Sequence, residues 1–346
     1  MNSLTIITPD DWHLHLRDTP YLQAVVADTA RQFGRAIVMP NLDPPVRSCE
    51  DALAYRQRIL AALPANNSFE PLMTLYLTDN TRVQDIEAAS DSPYIHGAKL
   101  YPAGATTNSD AGVTDLGRLE RVFEAMQKHR FMLQIHGEAT SPEVDLFDRE
   151  KVFIDQSLQR IRRDFPELPI VFEHITTRDA VDYVCAAERN LAATITPHHL
   201  LINRNAIFQG GIRPHHYCLP VAKREQHRQA LLAAACSGDR RFFAGTDSAP
   251  HARQAKESAC GCAGIYSAHS ALELYAEAFE LTGDFTHFEN FMSRHGADYY
   301  GLPQNRGSVR LEQESWTLPA SLPYPDGELI PFRATETLRW KQALDD

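Results

Sequence analysis

Apolar residues collect along the chain in short runs rich in β-formers, and the segments between them carry Ala, Leu, Glu, Gln and Arg in helix-like patterning. Eight such runs can be delimited, at 12–16, 35–39, 72–77, 97–101, 131–136, 170–174, 191–195 and 241–246. Two of the intervening segments, 51–63 and 116–128, space their apolar residues three and four apart, as a helix laid on a sheet requires. Strands alternating with helices predict parallel pairing, and eight of them predict closure into a TIM-like (β/α)8 barrel rather than an open sheet. After Gly301 the texture turns Pro-rich and irregular, with Leu318-Pro-Ala-Ser-Leu-Pro-Tyr-Pro325 and a late Trp340. The expectation is one barrel domain over 1–346, with 302–346 as an irregular extension packed on it, and no internal repeat.

Composition narrows the class. With 346 residues, 43% hydrophobic and 23% charged, the chain has the balance of a globular protein, which excludes disorder. Lys plus Arg (34) against Asp plus Glu (45) gives a net charge of −11, a field that repels nucleic acid and anionic membranes. No stretch approaches the roughly 18–20 apolar residues of a membrane span. The first twelve residues include Asp10 and Asp11 and lack the basic-then-apolar order of a secretory signal. Six cysteines are too sparse for a disulfide framework and read as reduced thiols of a cytoplasmic protein. Cys260-Gly-Cys262 lacks a second pair at zinc-knuckle spacing, so it reads as a Gly-rich loop.

His13 and His15, one residue apart on a strand, are expected to share a face, the arrangement of two ligands on one metal. Alone, the pair equally fits a polar strand face. The other candidates fall at corresponding places: Lys99 near the end of the fourth run, His136 and His174 ending the fifth and sixth, Asp247 just after the eighth. In such barrels the carboxyl ends of the strands surround one mouth. Individually, His136 and His174 could be core histidines and Asp247 a turn cap; their common position argues for a metal site. Lys99 allows two uses: an amine that loses its proton and adds carbon dioxide to give a bridging carbamate, or a cation that binds an anionic substrate group. Histidines with carboxylate and carbamate oxygens suit zinc better than calcium or magnesium. Asp247 is suited to move a proton from an activated water to a leaving nitrogen. Arg17, continuing the facing of His15, brings a carboxylate-binding fork to the mouth, with Asn41 and His251 as further donors.

Asp11-Trp-His-Leu-His-Leu-Arg-Asp18, Ala98-Lys-Leu-Tyr-Pro102, Phe172-Glu-His-Ile-Thr-Thr177 and Gly245-Thr-Asp-Ser-Ala-Pro-His-Ala252 resemble the short bacterial-type dihydroorotases of the amidohydrolase superfamily. The resemblance extends along nearly the whole chain, including Asn203-Arg-Asn205, Arg213-Pro-His215, Tyr217-Cys-Leu-Pro220 and Cys260-Gly-Cys-Ala-Gly264. It implies a zinc held by His13, His15, carboxylated Lys99 and Asp247, and a second held by Lys99, His136 and His174. It further implies that Arg17, Asn41 and His251 bind a substrate carboxylate, with backbone groups near Leu219 and Ala263 on the ring, and that Thr106 and Thr107 lie on a loop that closes over it. Gly104 and Asp43 depart from the pattern expected of that family. The implied reaction is reversible cyclisation of N-carbamoyl-L-aspartate to L-dihydroorotate in pyrimidine synthesis, with Asp247 as proton shuttle, by a homodimeric enzyme. Two rivals are a dihydropyrimidinase or hydantoinase, whose neutral ring needs no carboxylate clamp, and a non-catalytic barrel, whose ligand positions would have decayed.

Overall fold

The computed structural model describes residues 2–343. A first strand, β1 (Ser3–Ile7), is followed by β2 (Asp10–Leu14), β3 (Arg35–Val38), β4 (Glu70–Tyr76), β5 (Ile95–Leu100), β6 (Met132–Ile135), β7 (Ile170–Phe172), β8 (Leu191–Ile195) and β9 (Phe242–Ala244). From β2 to β9 each strand pairs in parallel with the next, giving an eight-stranded sheet in sequence order. The sheet closes just beyond the ends of β2 and β9. There Leu14 and Ser248 form a parallel bridge, the Asp247 N–H donates to the His13 carbonyl at 2.8 Å, and the His15 N–H donates to the Ser248 carbonyl at 3.1 Å. The expected (β/α)8 barrel is the observed architecture.

All eight predicted runs contain strands, but several strands stop early. The 12–16 run is Asp10–Leu14, and the fifth, sixth and eighth runs end at Ile135, Phe172 and Ala244. His15, His136, His174 and Asp247 therefore stand past the strand ends. His174 (φ 42°) and Asp247 (φ 46°) adopt the left-handed conformation, which ends a ladder because no strand residue can hold it. Arg17 also has positive φ, 60°, so it does not carry on the facing of the strand as its spacing from His15 suggests. The β2–β3 register shifts between Asp11 and Leu14. This bulge lets neighbouring residues Trp12 and His13 both point inward, Trp12 into the core and His13 to the mouth.

The barrel interior is built in two layers of opposite character. Ile37, Leu72, Met132, Val171, Ala192 and Phe243 form an apolar layer with Trp12. Two residues further along four of these strands, on the same face by the strand period, come Thr74, Gln134, Glu173 and Thr194, and Lys99 stands two residues beyond Gly97 on β5, all buried. The apolar layer is plugged from below by the helix His295–Tyr300, whose Tyr300 ring stacks on Trp12 at 4.6 Å. Gly296 permits this approach: a Cβ there would fall 2.1 Å from the Trp12 indole nitrogen. Among the flanking helices, Cys49–Ala62 starts with Ser48 and Asp51 capping each other's backbone. The predicted 116–128 helix is a 3-10 turn, Leu116–Leu119, running into the helix Glu120–His129.

The residues after Gly301 are less irregular than their prolines suggest. They contain β10 (Ser308–Glu312), β11 (Trp316–Thr317), β12 (Leu322–Tyr324), β13 (Gly327–Leu329), β14 (Thr337–Leu338) and β15 (Lys341–Gln342). β10 pairs antiparallel with β1, and β15 with β10, outside the barrel. Bridges from Ala252 to Leu329 and from Tyr266 to Pro331 tie this segment to the loop after β9. No helix among the described residues is long and apolar enough to cross a membrane.

At the seam, the buried Asp11 carboxylate accepts from the Thr246 N–H (2.8 Å), the Thr246 hydroxyl (2.6 Å) and the His13 N–H (3.2 Å). Burial raises its pKa to about 6. Asp11→Ala strands these donors inside the protein and is expected to lower stability by roughly 3 kcal/mol. Urea unfolding followed by circular dichroism checks this; an unchanged midpoint would remove Asp11 from the closure.

Candidate active site

Three side chains meet where the seam opens into the mouth. His13 Nε2 lies 3.3 Å from His15 Nε2 and 3.3 Å from Asp247 Oδ1, and His15 Nε2 lies 3.1 Å from the same oxygen. Asn41 sets the tautomer of His15. Its Nδ2 donates to the Thr107 carbonyl at 3.0 Å, so its Oδ1 faces His15 Nδ1 at 2.9 Å and accepts that proton. The Nε2 lone pair of His15 is thereby free to face the group.

Deeper in the barrel, Lys99 Nζ donates to Glu173 Oε2, and Glu173 Oε1 lies 3.2 Å from His13 Nδ1 without the alignment of a hydrogen bond. His174 packs between His13 and His136, at ring-centroid distances of 4.9 and 4.8 Å. His136 Nε2 donates to Glu138 Oε2 at 2.8 Å, which leaves its Nδ1 as the acceptor nitrogen. Buried His174 Nδ1 has no hydrogen-bond partner among the described residues.

Burial dominates the electrostatics here. It drives His15 down to about 4 and His174 well below its ordinary 6.5, so both rings are neutral with lone pairs to offer. Burial pulls His13 the same way, but the Glu173 and Asp247 carboxylates more than offset it and raise the ring to about 9. Burial likewise lowers Lys99 against the opposing pull of Glu173. Burial would raise Asp247, yet His13 and His15 beside it hold its carboxyl well below the usual range.

The donor set fits a divalent cation. A tetrahedron with metal–ligand bonds of about 2.0–2.1 Å has edges of about 3.3 Å, close to the 3.1–3.3 Å that separate His13, His15 and Asp247. A cation there would replace the proton that the two carboxylates hold on His13. His13, Glu173 and His174 form a second close group. A third is formed by His198, His199 and Cys218, and both ring nitrogens of buried His198 lack a hydrogen-bond partner among the described residues. Both His199 ring nitrogens are taken, by the Thr196 hydroxyl (2.8 Å) and the Pro220 carbonyl (3.0 Å), and burial pushes the Cys218 thiol up to about 12. All six thiols are free, and Cys260 and Cys262 belong to no such group among the described residues.

One small cavity adjoins the cluster, lined by His15, Arg17, Asn41, Thr106, Thr107, Leu219, Asp247, Ala249, Ala263 and Gly264. Arg17 Nη2 donates to His251 Nε2 at 2.9 Å and Nε donates to the Pro250 carbonyl at 3.2 Å; no carboxylate of a described residue pairs with it. The Tyr55 hydroxyl donates to the Arg17 carbonyl, holding the left-handed residue. The loop that carries Thr106 and Thr107 lies over the cavity, with the Thr107 hydroxyl donating to the Ala263 carbonyl at 3.2 Å and Asn108 Nδ2 to the Asn41 carbonyl at 3.0 Å. Gly104 supplies a left-handed turn (φ 73°) with open space around it. Asp43 is exposed and lines an outer cleft with Asp18 and Asp326 rather than the inner cavity.

Sequence reasoning missed Asp11, Glu138 and Glu173. Each is an acid within two residues of a mouth histidine, a signal that was available in the chain.

Acid sensitivity follows. His15 and His174, with His198 (about 4) and His199, are lowered by burial from 6.5, so at these four sites the unfolded chain binds more protons than the folded one below about pH 6.5, outweighing the opposite sign of the Asp11 carboxyl. Stability therefore falls as pH drops through that window. His13 has the opposite sign: its contribution is full below 6.5 and lost as pH rises through about 9. For protein stripped with a chelator, the urea midpoint is expected to decline steadily from about pH 6.5 toward 4.5; a flat profile would contradict it.

Residues 5–314 match the family described as the Amidohydrolase family. A dihydroorotase of Cupriavidus pinatubonensis is 65% identical over 98% of both chains. Among solved structures, dihydroorotase from Campylobacter jejuni is 36% identical with a TM-score of 0.90, over 99% of this chain and 97% of that one. Dihydroorotase from Saccharomyces cerevisiae, in complex with 5-fluoroorotic acid, is 29% identical with a TM-score of 0.91 over 99% of both chains. With the barrel, the histidine–aspartate cluster and this full-length similarity together, the chain belongs to the amidohydrolase family and, within it, to the dihydroorotases.

Proposed function

We propose that the chain catalyses the reversible cyclisation of N-carbamoyl-L-aspartate to L-dihydroorotate at a centre of two zinc ions. The observation that carries this reading is the meeting of His13, His15 and Asp247 beside a cavity that also holds an arginine without a carboxylate partner among the described residues. His13, His15, Lys99 and Asp247 would hold one ion, and Lys99, His136 and His174 the other, with Lys99 carboxylated on Nζ. Such ions supply Lewis acidity to a carbonyl oxygen and an activated water.

The protein's own groups do the rest. Arg17, oriented by His251, binds the substrate carboxylate, with Asn41 beside it. Leu219 and Ala263 offer main-chain groups to the ring. Thr106 and Thr107 cover the cavity and exclude water. Asp247 carries the proton between water and the ring nitrogen. Burial weakens the hold of Lys99 on its proton, and Glu173 Oε2, already in contact with Nζ, is the acceptor that leaves a neutral amine able to add carbon dioxide. Arg17 at the cavity with no carboxylate partner among the described residues favours this reading over a neutral-ring amidohydrolase. The reading also carries a homodimer in the cytoplasm, which sedimentation and cell fractionation test.

The direct test is a dihydroorotate assay in both directions, with chelator and with zinc restored. Full zinc occupancy without turnover would sink the assignment. Arg17→Met is expected to lower kcat/KM for dihydroorotate by roughly a hundred-fold, about 2.7 kcal/mol, with bound zinc unchanged. Unchanged turnover would return the choice to neutral cyclic amides. Lys99→Ala is expected to abolish activity, with partial recovery on adding short carboxylic acids; an intact mass showing a plain amine in active, metal-loaded enzyme would refute the carbamate.

A further inference from the structure

Lys256 belongs to neither the metal cluster nor the cavity lining. It ends the short helix Arg253–Lys256 and is 3% exposed. Its Nζ donates to the carbonyls of Tyr217 (2.7 Å), Cys262 (2.7 Å) and Gly264 (2.6 Å). An ammonium has three N–H bonds, and all are committed here to main-chain oxygens from two separate loops. Burial lowers the group from its ordinary 10.5 to about 8, so it remains a cation at neutral pH and the bonds are charge-assisted.

The two loops share the cavity. Leu219 lies two residues after Tyr217, and Ala263 lies between Cys262 and Gly264; both line the space with Arg17 and Asp247. The loops are also joined directly, by the Gly264 N–H on the Tyr217 carbonyl at 3.0 Å. With the carbonyls on either side of Ala263 drawn onto Nζ, the Ala263 carbonyl is left to the Thr107 hydroxyl. Gly264 packs against the ring of His251, which accepts from Arg17. The crease needs Gly264, whose φ is 148° and whose added Cβ would sit 2.8 Å from His251 Cδ2.

We propose that Lys256 is a positioning residue for substrate binding: its ammonium fixes the two loops that present Leu219 and Ala263, and by holding Gly264 against the His251 ring it backs the partner of Arg17. This rests on the dihydroorotase reading. No part of it passes through the metal ligands, so its loss is felt in binding more than in chemistry.

The test is Lys256→Met in the metal-loaded enzyme, assayed in both directions with metal content and thermal midpoint measured alongside. KM is expected to rise roughly ten-fold or more, with a much smaller fall in kcat and wild-type metal content. Lys256→Gln, which keeps a donor group on a shorter arm, is expected to give an intermediate KM. A KM within about two-fold of wild type, a loss confined to kcat, or metal lost in step with activity overturns the proposal. If neither variant folds, Lys256 is an element of folding and the proposal is likewise overturned. A wild-type enzyme that holds metal but does not turn over dihydroorotate defeats the dihydroorotase reading instead, before either variant is made.

Discussion

Closure of the barrel between its first and last strands is the constraint on which the mouth depends. Asp11 grips Thr246, the Asp247 N–H reaches the His13 carbonyl, and the His15 N–H reaches Ser248. These contacts join residues more than two hundred positions apart, and they do so with the same short segments whose side chains form the candidate metal cluster. Opening the seam would separate His13 and His15 from Asp247. The site is therefore a property of the closed barrel, and a cation bound there would in turn hold the seam shut, since a ligand that binds only the folded state stabilises it.

The layered interior explains how so much polarity is tolerated. Below, Trp12, Phe243 and their neighbours form an ordinary apolar core, sealed by Tyr300 and the glycine that lets its helix approach. Above, Lys99, Glu173, His13 and Asp247 are buried charges or near-charges that survive because each faces an opposite partner. Removing one leaves another uncompensated, so this layer contributes less to stability than its number of contacts suggests and more to keeping lone pairs aimed at one point.

Much of this was legible in the chain. The strands could be read because they are buried on both sides and rich in β-formers, and the mouth residues because they recur at strand ends. The strand ends themselves were misplaced, since apolar patterning does not reveal that His174 and Asp247 turn left-handed or that a bulge re-aims His13. β1 escaped notice because it is half-exposed and pairs with β10 some three hundred residues later. Lys256 was invisible for another reason: its partners are carbonyls, which every residue possesses, so no side-chain pattern marks them.

Arg17, His174 and Asp247 share a feature that links the two halves of the molecule. Each is a non-glycine residue held at positive φ, a conformation that costs of order 1 kcal/mol and persists only where neighbours over-determine it. Those neighbours can be named. Tyr55 holds the Arg17 carbonyl, Thr194 Oγ1 accepts from the His174 N–H at 2.7 Å, and the seam holds the Asp247 N–H. A strand residue would alternate its side chain away from the mouth; a left-handed residue just past the strand can turn its side chain into it. The strain is thus the means by which a barrel with period-two strands gathers a carboxylate, an imidazole and a guanidinium at one opening, and the apolar layer beneath supplies the stability that keeps it in place.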